Sequence, residues 1–271
     1  MMSTAQGRRL RRIAAMVRRH VYLLRSSWPR VLDMVYWPTV QMVLWGFITL
    51  FLAQSSSVVA NAVGIFLSAV LLWDVLFRGQ LNVSLGLMEE MYSRNLGHLF
   101  VSPLRPWELV VSLFTISLLR TSIGVGGAAL LAIPVHDFSI FHTLGPSLVA
   151  FFACLLVFGW AMGLIIAGLV LRLGLGAESL AWALIFLIQP VSGVYYPIDT
   201  LPGWLQDIAA LLPSSHVFEG MRALLLDGTF RLDLLRNAVL LDLVWLGVAG
   251  TIFVQMFKSA RRQGLLLQVG E

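Results

Sequence analysis

The sequence predicts an all-α integral membrane protein, and three observations carry that prediction. Of its 271 residues, 58% are hydrophobic and only 12% are charged, against roughly 25% charged in an ordinary soluble domain. Several apolar runs come close to or exceed the roughly 20 residues that a helix needs to cross a bilayer. Arginines gather before the first run and after the last, as they do on the cytoplasmic flanks of membrane proteins. That clustering gives the net charge of +5 a membrane meaning, so no nucleic-acid partner is expected. The one cysteine, Cys154, cannot form an intrachain disulfide and says nothing about compartment.

Six spans are expected in one membrane domain covering 1–271, over roughly 31–53, 58–77, 107–133, 145–171, 178–196 and 234–257. With the N-terminus inside, the cytoplasmic pieces are 1–30, 78–106, 172–177 and the tail 258–271, and they hold most of the arginines together with Lys258. The outer pieces hold Arg222 and Arg231 and are richer in acids, from Asp137 to Asp233. The excess of positive charge inside therefore puts both termini in the cytoplasm.

Within 1–30, Leu10, Ile13, Val17, Val21 and Leu24 recur at three- and four-residue steps among arginines. One apolar stripe on a basic helix suits a helix lying flat in the membrane interface, its arginines on anionic headgroups. The plainer alternative is an arginine-rich flank that orients the first span. A cleaved signal peptide is not expected, because the basic stretch is too long for one.

Loop 78–106 carries a helical pattern over 86–100 in Leu87-Met88, Met91-Tyr92, Asn95-Leu96 and Leu99-Phe100. Glu89, Glu90 and Arg94 fall elsewhere on its surface, with Glu90 and Arg94 four apart in the favourable order. Ser102-Pro103 ends this helix, and Trp107 marks the return to the interface. The outer segment 195–233 is too interrupted by Pro197, Pro202, Gly203 and Pro213 to cross the membrane simply. Short helices half-sunk in the outer leaflet fit it best, since irregular backbone at membrane depth must lie against protein.

The chemistry is mostly one of absences. A P-loop needs glycine then lysine on the phosphates, and the only lysine, Lys258, follows Phe257. The histidines His20, His98, His136, His142 and His216 lack metal-ligand spacing. No catalytic residue, metal site or cofactor of this chain's own is expected. Arg120 lies in the middle of the third span, where a charge is costly and seeks a partner. Asp242 in the sixth span is its candidate, as a structural ion pair or on a transport path. Gly159 and Gly163 have the spacing that lets spanning helices approach, within one chain or across a dimer.

The run from Met88 to Leu109, MEEMYSRNLGHLFVSPLRPWEL, resembles the signature of type-two ABC exporter permeases, with Asn95 a departure from its usual small residue. The run from Ser192 to Leu205 resembles the second signature of that family, after the fifth span: Ser192-Gly193, then Tyr195, Tyr196, Pro197, Leu201, Pro202 and Trp204. The resemblance implies an ATP-driven exporter of drugs, lipids, glycolipids or polysaccharides in a bacterial cytoplasmic (inner) membrane. It implies a second permease chain, as a homodimer or a heterodimer, and two copies of a separate ATPase subunit that bind the ATP and magnesium. In that setting the helix over 86–100 becomes a coupling helix, with Leu96 and Leu99 on its packing side and Glu89, Glu90 and Arg94 orienting it in the ATPase. The competing class is a secondary transporter or channel working without an ATPase, which often shows internal repeats. None is visible here.

Overall fold

The computed structural model describes residues 4–53 and 57–264, so positions 1–3, 54–56 and 265–271, the last including most of the expected tail, lie outside the described residues. Helix α1 (Thr4–Arg25) precedes two long helices, α2 (Trp28–Ala53) and α3 (Ser57–Tyr92). A short α4 (Leu96–Val101) leads into α5 (Pro106–His136), and a short α6 (Ile140–Leu144) into α7 (Ser147–Leu173). Next come α8 (Glu178–Ile188), α9 (Gly203–Ala210), α10 (Pro213–Asp227) and α11 (Leu232–Arg262). No strand occurs among the described residues.

Among the described residues, five helices are long and apolar enough to cross a membrane: α2, α3, α5, α7 and α11. The segment expected to be the fifth span is different. Its helix α8 has 11 residues, about 16 Å at 1.5 Å per residue, and turns follow from Gln189 to Tyr196.

Helix direction explains how the chain uses this short helix. Helices α3 and α7 run parallel: Gly159 lies against Leu76 and Gln80, and Gly163 against Gln80 and Val83. Helices α7 and α11 are also parallel, with Phe158 beside Trp245, Gly168 beside Phe253 and Arg172 beside Met256. Two parallel helices joined in sequence require the connecting chain to return the length of the bundle. Residues 174–231 make that return, first through α8 and then through the α9–α10 hairpin.

The hairpin turn reaches deep. The indole N–H of Trp245 donates to the Leu211 carbonyl at 2.9 Å, and Trp245 is 13 residues into α11, about 20 Å from its start. The last carbonyls of α9 are held by turn bonds from Leu211 and Leu212, and nearby side chains add to them. The Ser215 hydroxyl bonds the Ala209 and Leu212 carbonyls, and His216 bonds that of Ala210.

The close α3–α7 contact explains Gly159 and Gly163. A Cβ on Gly159 would sit 2.7 Å from the Leu76 carbonyl oxygen, and one on Gly163 2.6 Å from that of Gln80. Their small-residue spacing therefore serves packing within the chain.

Candidate functional site

The signature region around residue 90 folds into a junction of four elements. Helix α3 is 36 residues long, about 54 Å, and outruns the roughly 30 Å hydrocarbon layer. The second span and the first part of the expected loop helix are thus one continuous helix. It stops at Ser93–Asn95, where Arg94 takes a left-handed φ of 56°. The helix expected over 86–100 is accordingly two pieces, the end of α3 and the separate α4, because the chain reverses at Arg94.

Glu90 is not on the surface. It is 1% exposed, and its carboxylate accepts from Arg19 of α1 and from the Asn95 amide at 2.7 Å. His20 Nε2 lies 3.5 Å away, with its Nδ1 2.9 Å from the Met16 carbonyl oxygen. The expected Glu90–Arg94 pair does not form: the reversal turns Arg94 outward while Glu90 points to α1. Asn95, which departs from the family pattern, is the residue that bridges this turn back to Glu90.

Helix α4 is held from inside. Leu96, Leu99 and Leu104 are buried in the main core, and the Ser102 hydroxyl closes the helix on the Leu99 carbonyl at 2.5 Å. Three residues into α5, Glu108 is fully buried. It accepts the Arg105 backbone N–H at 2.9 Å, which caps α5. Arg12 of α1 grips the same carboxylate, Nη2 to Oε1 at 2.5 Å and Nε to Oε2 at 2.8 Å. That hydrogen bond holds the Arg12 guanidinium above its ordinary pKa. The Tyr92 hydroxyl adds a bond to Glu178 at the start of α8. One turn thus touches α1, α3, α5 and α8. In the sequence Glu108 stands only as part of the first signature, with no role of its own, although an acid three residues after Arg105 and two after Pro106 is a helix-start pattern.

The intramembrane charges pair differently from expectation. Arg120 is 8% exposed, and its Nη2 lies 3.5 Å from Glu89 Oε2. Asp242 is not its partner. It is buried on α11, where its Oδ1 has no hydrogen-bond partner among the described residues. Arg120 belongs to α5, which packs on α2 and α3, so its side chain runs down toward the end of α3. Arg78, expected in a cytoplasmic loop, lies inside α3 and pairs with buried Asp74 one turn earlier at 2.7 Å. Below it, the Asn82 amide donates to Thr121 at 3.2 Å.

The second signature knits the hairpin to the bundle. Tyr195 stacks on Trp45 of α2, ring centroids 4.8 Å apart, and accepts from the Gln189 amide at 3.1 Å. Tyr196 donates to the Pro190 carbonyl at 2.6 Å. Pro197 precedes a single tight turn, and the Gln206 amide holds the Leu201 carbonyl at 2.7 Å ahead of Pro202 and α9. Trp204 is exposed. Glu219 accepts both the Ile198 backbone N–H and Arg222 Nη2 at 2.8 Å. Ser192 and Ser214 share a hydrogen bond of 2.8 Å. Gly193 has φ of 62°, and a Cβ there would lie 2.6 Å from Ile198.

No curated protein matches the chain. The family model for ABC-2 type transporters matches residues 12–226, from the Arg12 that grips Glu108 to the last turn of α10. The chain belongs to the ABC-2 type transporter family.

Proposed function

We propose that this chain is the membrane half of an exporter driven by ATP hydrolysis on separate subunits. Membership of the family makes it a permease subunit that associates with an ABC ATPase. Beyond that, we propose two ATPase copies on a homodimer of this chain, in a bacterial cytoplasmic membrane with both termini inside. The cargo is an apolar, lipid-linked or glycan molecule taken from the cytoplasm or the inner leaflet.

One observation carries the coupling part of this reading. The turn between α3 and α5 is anchored inward by Leu96, Leu99 and Leu104 and braced by Arg19–Glu90 and Arg12–Glu108. A force applied to α4 is therefore delivered together to α1, α3 and α5. Glu90 acts in this from within, holding α1 to the turn. Glu89 ties the same end of α3 to Arg120 in α5. The parallel course of α7 and α11 supports six crossings, and the arginine distribution supports cytoplasmic termini.

Inverted membrane vesicles containing the chain and its ATPase test the transport reading, with an apolar fluorescent dye and the host's extracted lipid-linked glycans as probes. ATP-dependent accumulation that survives a protonophore is expected. Accumulation driven by a proton gradient without ATP contradicts it.

A further inference from the structure

At the cytoplasmic junction each acid is engaged by a partner within the chain, Glu178 through a bond at the surface. Glu89 goes to Arg120, Glu90 to Arg19, Glu108 to Arg12 and Glu178 to Tyr92. Asp33 is exposed in the second turn of α2, outside this connection. What the turn between α3 and α5 shows to solvent is different. Arg94 and Arg105 are exposed at its two ends, and between them lie exposed His98, Ser102 and Pro103 and a Val101 that is 90% exposed. The backbone enforces this display. The left-handed turn at Arg94 throws its side chain outward while Asn95 folds back onto Glu90. At the other end, Glu108 caps the Arg105 N–H and leaves the guanidinium outside.

We infer that the ATPase subunit receives this turn in a groove with an apolar floor for Val101 and Pro103 and an acidic rim facing Arg94 and Arg105. The inference rests on the reading of this chain as an ABC permease and adds the sign of the charge on the partner. An apolar knob between two cations fits a groove in a protein, since burying the knob needs walls while the flanking charges set register and speed of encounter. A flat anionic lipid surface suits α1 better, where Arg11, Arg18 and Arg25 are exposed at seven-residue spacing along one stripe. Glu89 and Glu90 make no part of the contact, because each is engaged inside the chain.

The test uses the full-length chain, tagged and purified with its ATPase from mild detergent, with retained ATPase measured against rising salt. Wild type is expected to lose ATPase as salt screens the two cations. The pair Arg94→Glu and Arg105→Glu is expected to lower retention at least about tenfold at low salt, since like charges then face each other. The pair Arg94→Lys and Arg105→Lys is expected to keep it. Val101→Glu, which puts an acid at the tip, is expected to lower it as well. Size-exclusion profiles matching wild type show that the variants are folded. Retention that is salt-independent, or unchanged in the reversed pair, overturns the inference while leaving the family reading intact. Equal loss in the lysine pair also overturns it, because charge is then not what is recognised. So does a reversed pair that keeps its ATPase and instead loses only its dependence on anionic lipid. If wild type itself brings down no ATPase, the reading beneath the inference fails first.

Discussion

Arg12 and Glu108, 96 residues apart in sequence, are joined by two charge-assisted hydrogen bonds of 2.5 and 2.8 Å at the point where α1 meets the start of α5. Such paired bonds fix orientation as well as distance. They make α1 a braced member of the junction rather than a loose basic flank.

The first prediction follows from that brace. Arg12→Ala leaves the Glu108 carboxylate buried without its cation, so the first half of α1 should loosen, with Arg19–Glu90 still holding the second half, and Arg8, Arg9 and Arg11 should become more open to trypsin. Arg12→Lys should restore part of the protection, since a lysine offers no two-point grip. Cleavage within α1 at the wild-type rate in Arg12→Ala would show that the pair does not hold the helix.

The intramembrane charges give a second. Arg120→Ala leaves Glu89 without its cation. Because Glu89 is about one-third exposed, the expected loss is about 1–3 kcal/mol, below that of a fully buried pair. Asp242→Asn should stay within about 1 kcal/mol of wild type, because no cation among the described residues pairs with Asp242. Detergent melting curves with a double-mutant cycle on Arg120 and Glu89 measure both. Coupling between Arg120 and Asp242 instead would contradict the assignment.

The third concerns the α3–α7 contact. Gly163→Ala puts a methyl group 2.6 Å from the Gln80 carbonyl oxygen, and separating the backbones should cost about 1–3 kcal/mol. Gly126→Ala and Gly247→Ala meet nothing within 4 Å and should be close to neutral. A melting temperature unchanged by Gly163→Ala would mean that the helices are not packed this closely.

How much of this was legible from the sequence differs by element. The long spans could be read because bilayer solvation leaves an unmistakable run of apolar residues. The α3 break was misplaced because the run from Phe77 onward mixes polar residues into an apolar pattern, so a loop looked natural where the helix continues. Arg78 was put in that loop for the same reason. Its partner Asp74, four residues earlier in the same helix, was the available signal. Glu90 looked like a surface residue because its cation, Arg19, is 71 residues away and no periodicity links them. Pairing Arg120 with Asp242 follows from the rule that buried opposite charges find each other. Helix order in space decides that, and single-sequence reasoning does not supply it. The outer hairpin was legible as irregular from its prolines. That its turn reaches Trp245 was not, since one side-chain hydrogen bond to a backbone carbonyl leaves no pattern.

That hairpin gives a fourth prediction. Trp245→Phe keeps the apolar packing but removes the donor to the Leu211 carbonyl, which should cost about 1 kcal/mol of stability. Ser215→Ala should cost a similar amount, because two carbonyls share its hydroxyl. Hydrogen exchange at Leu211–Ser215 should rise in both variants while the α3–α7 contact stays protected. Exchange unchanged at the turn would place it in solvent rather than inside the bundle.

The central claim is that this chain works only with an ATPase received at the turn between α3 and α5. Its most direct test is a single crosslink. In a Cys154→Ala background, Val101→Cys should form an oxidative adduct with a cysteine set along the groove of the ATPase that co-purifies with wild type. The account predicts that this adduct forms readily and that it halts ATP-driven transport until it is reduced. A chain that purifies alone, gives no adduct and still transports its cargo on an ion gradient would contradict it.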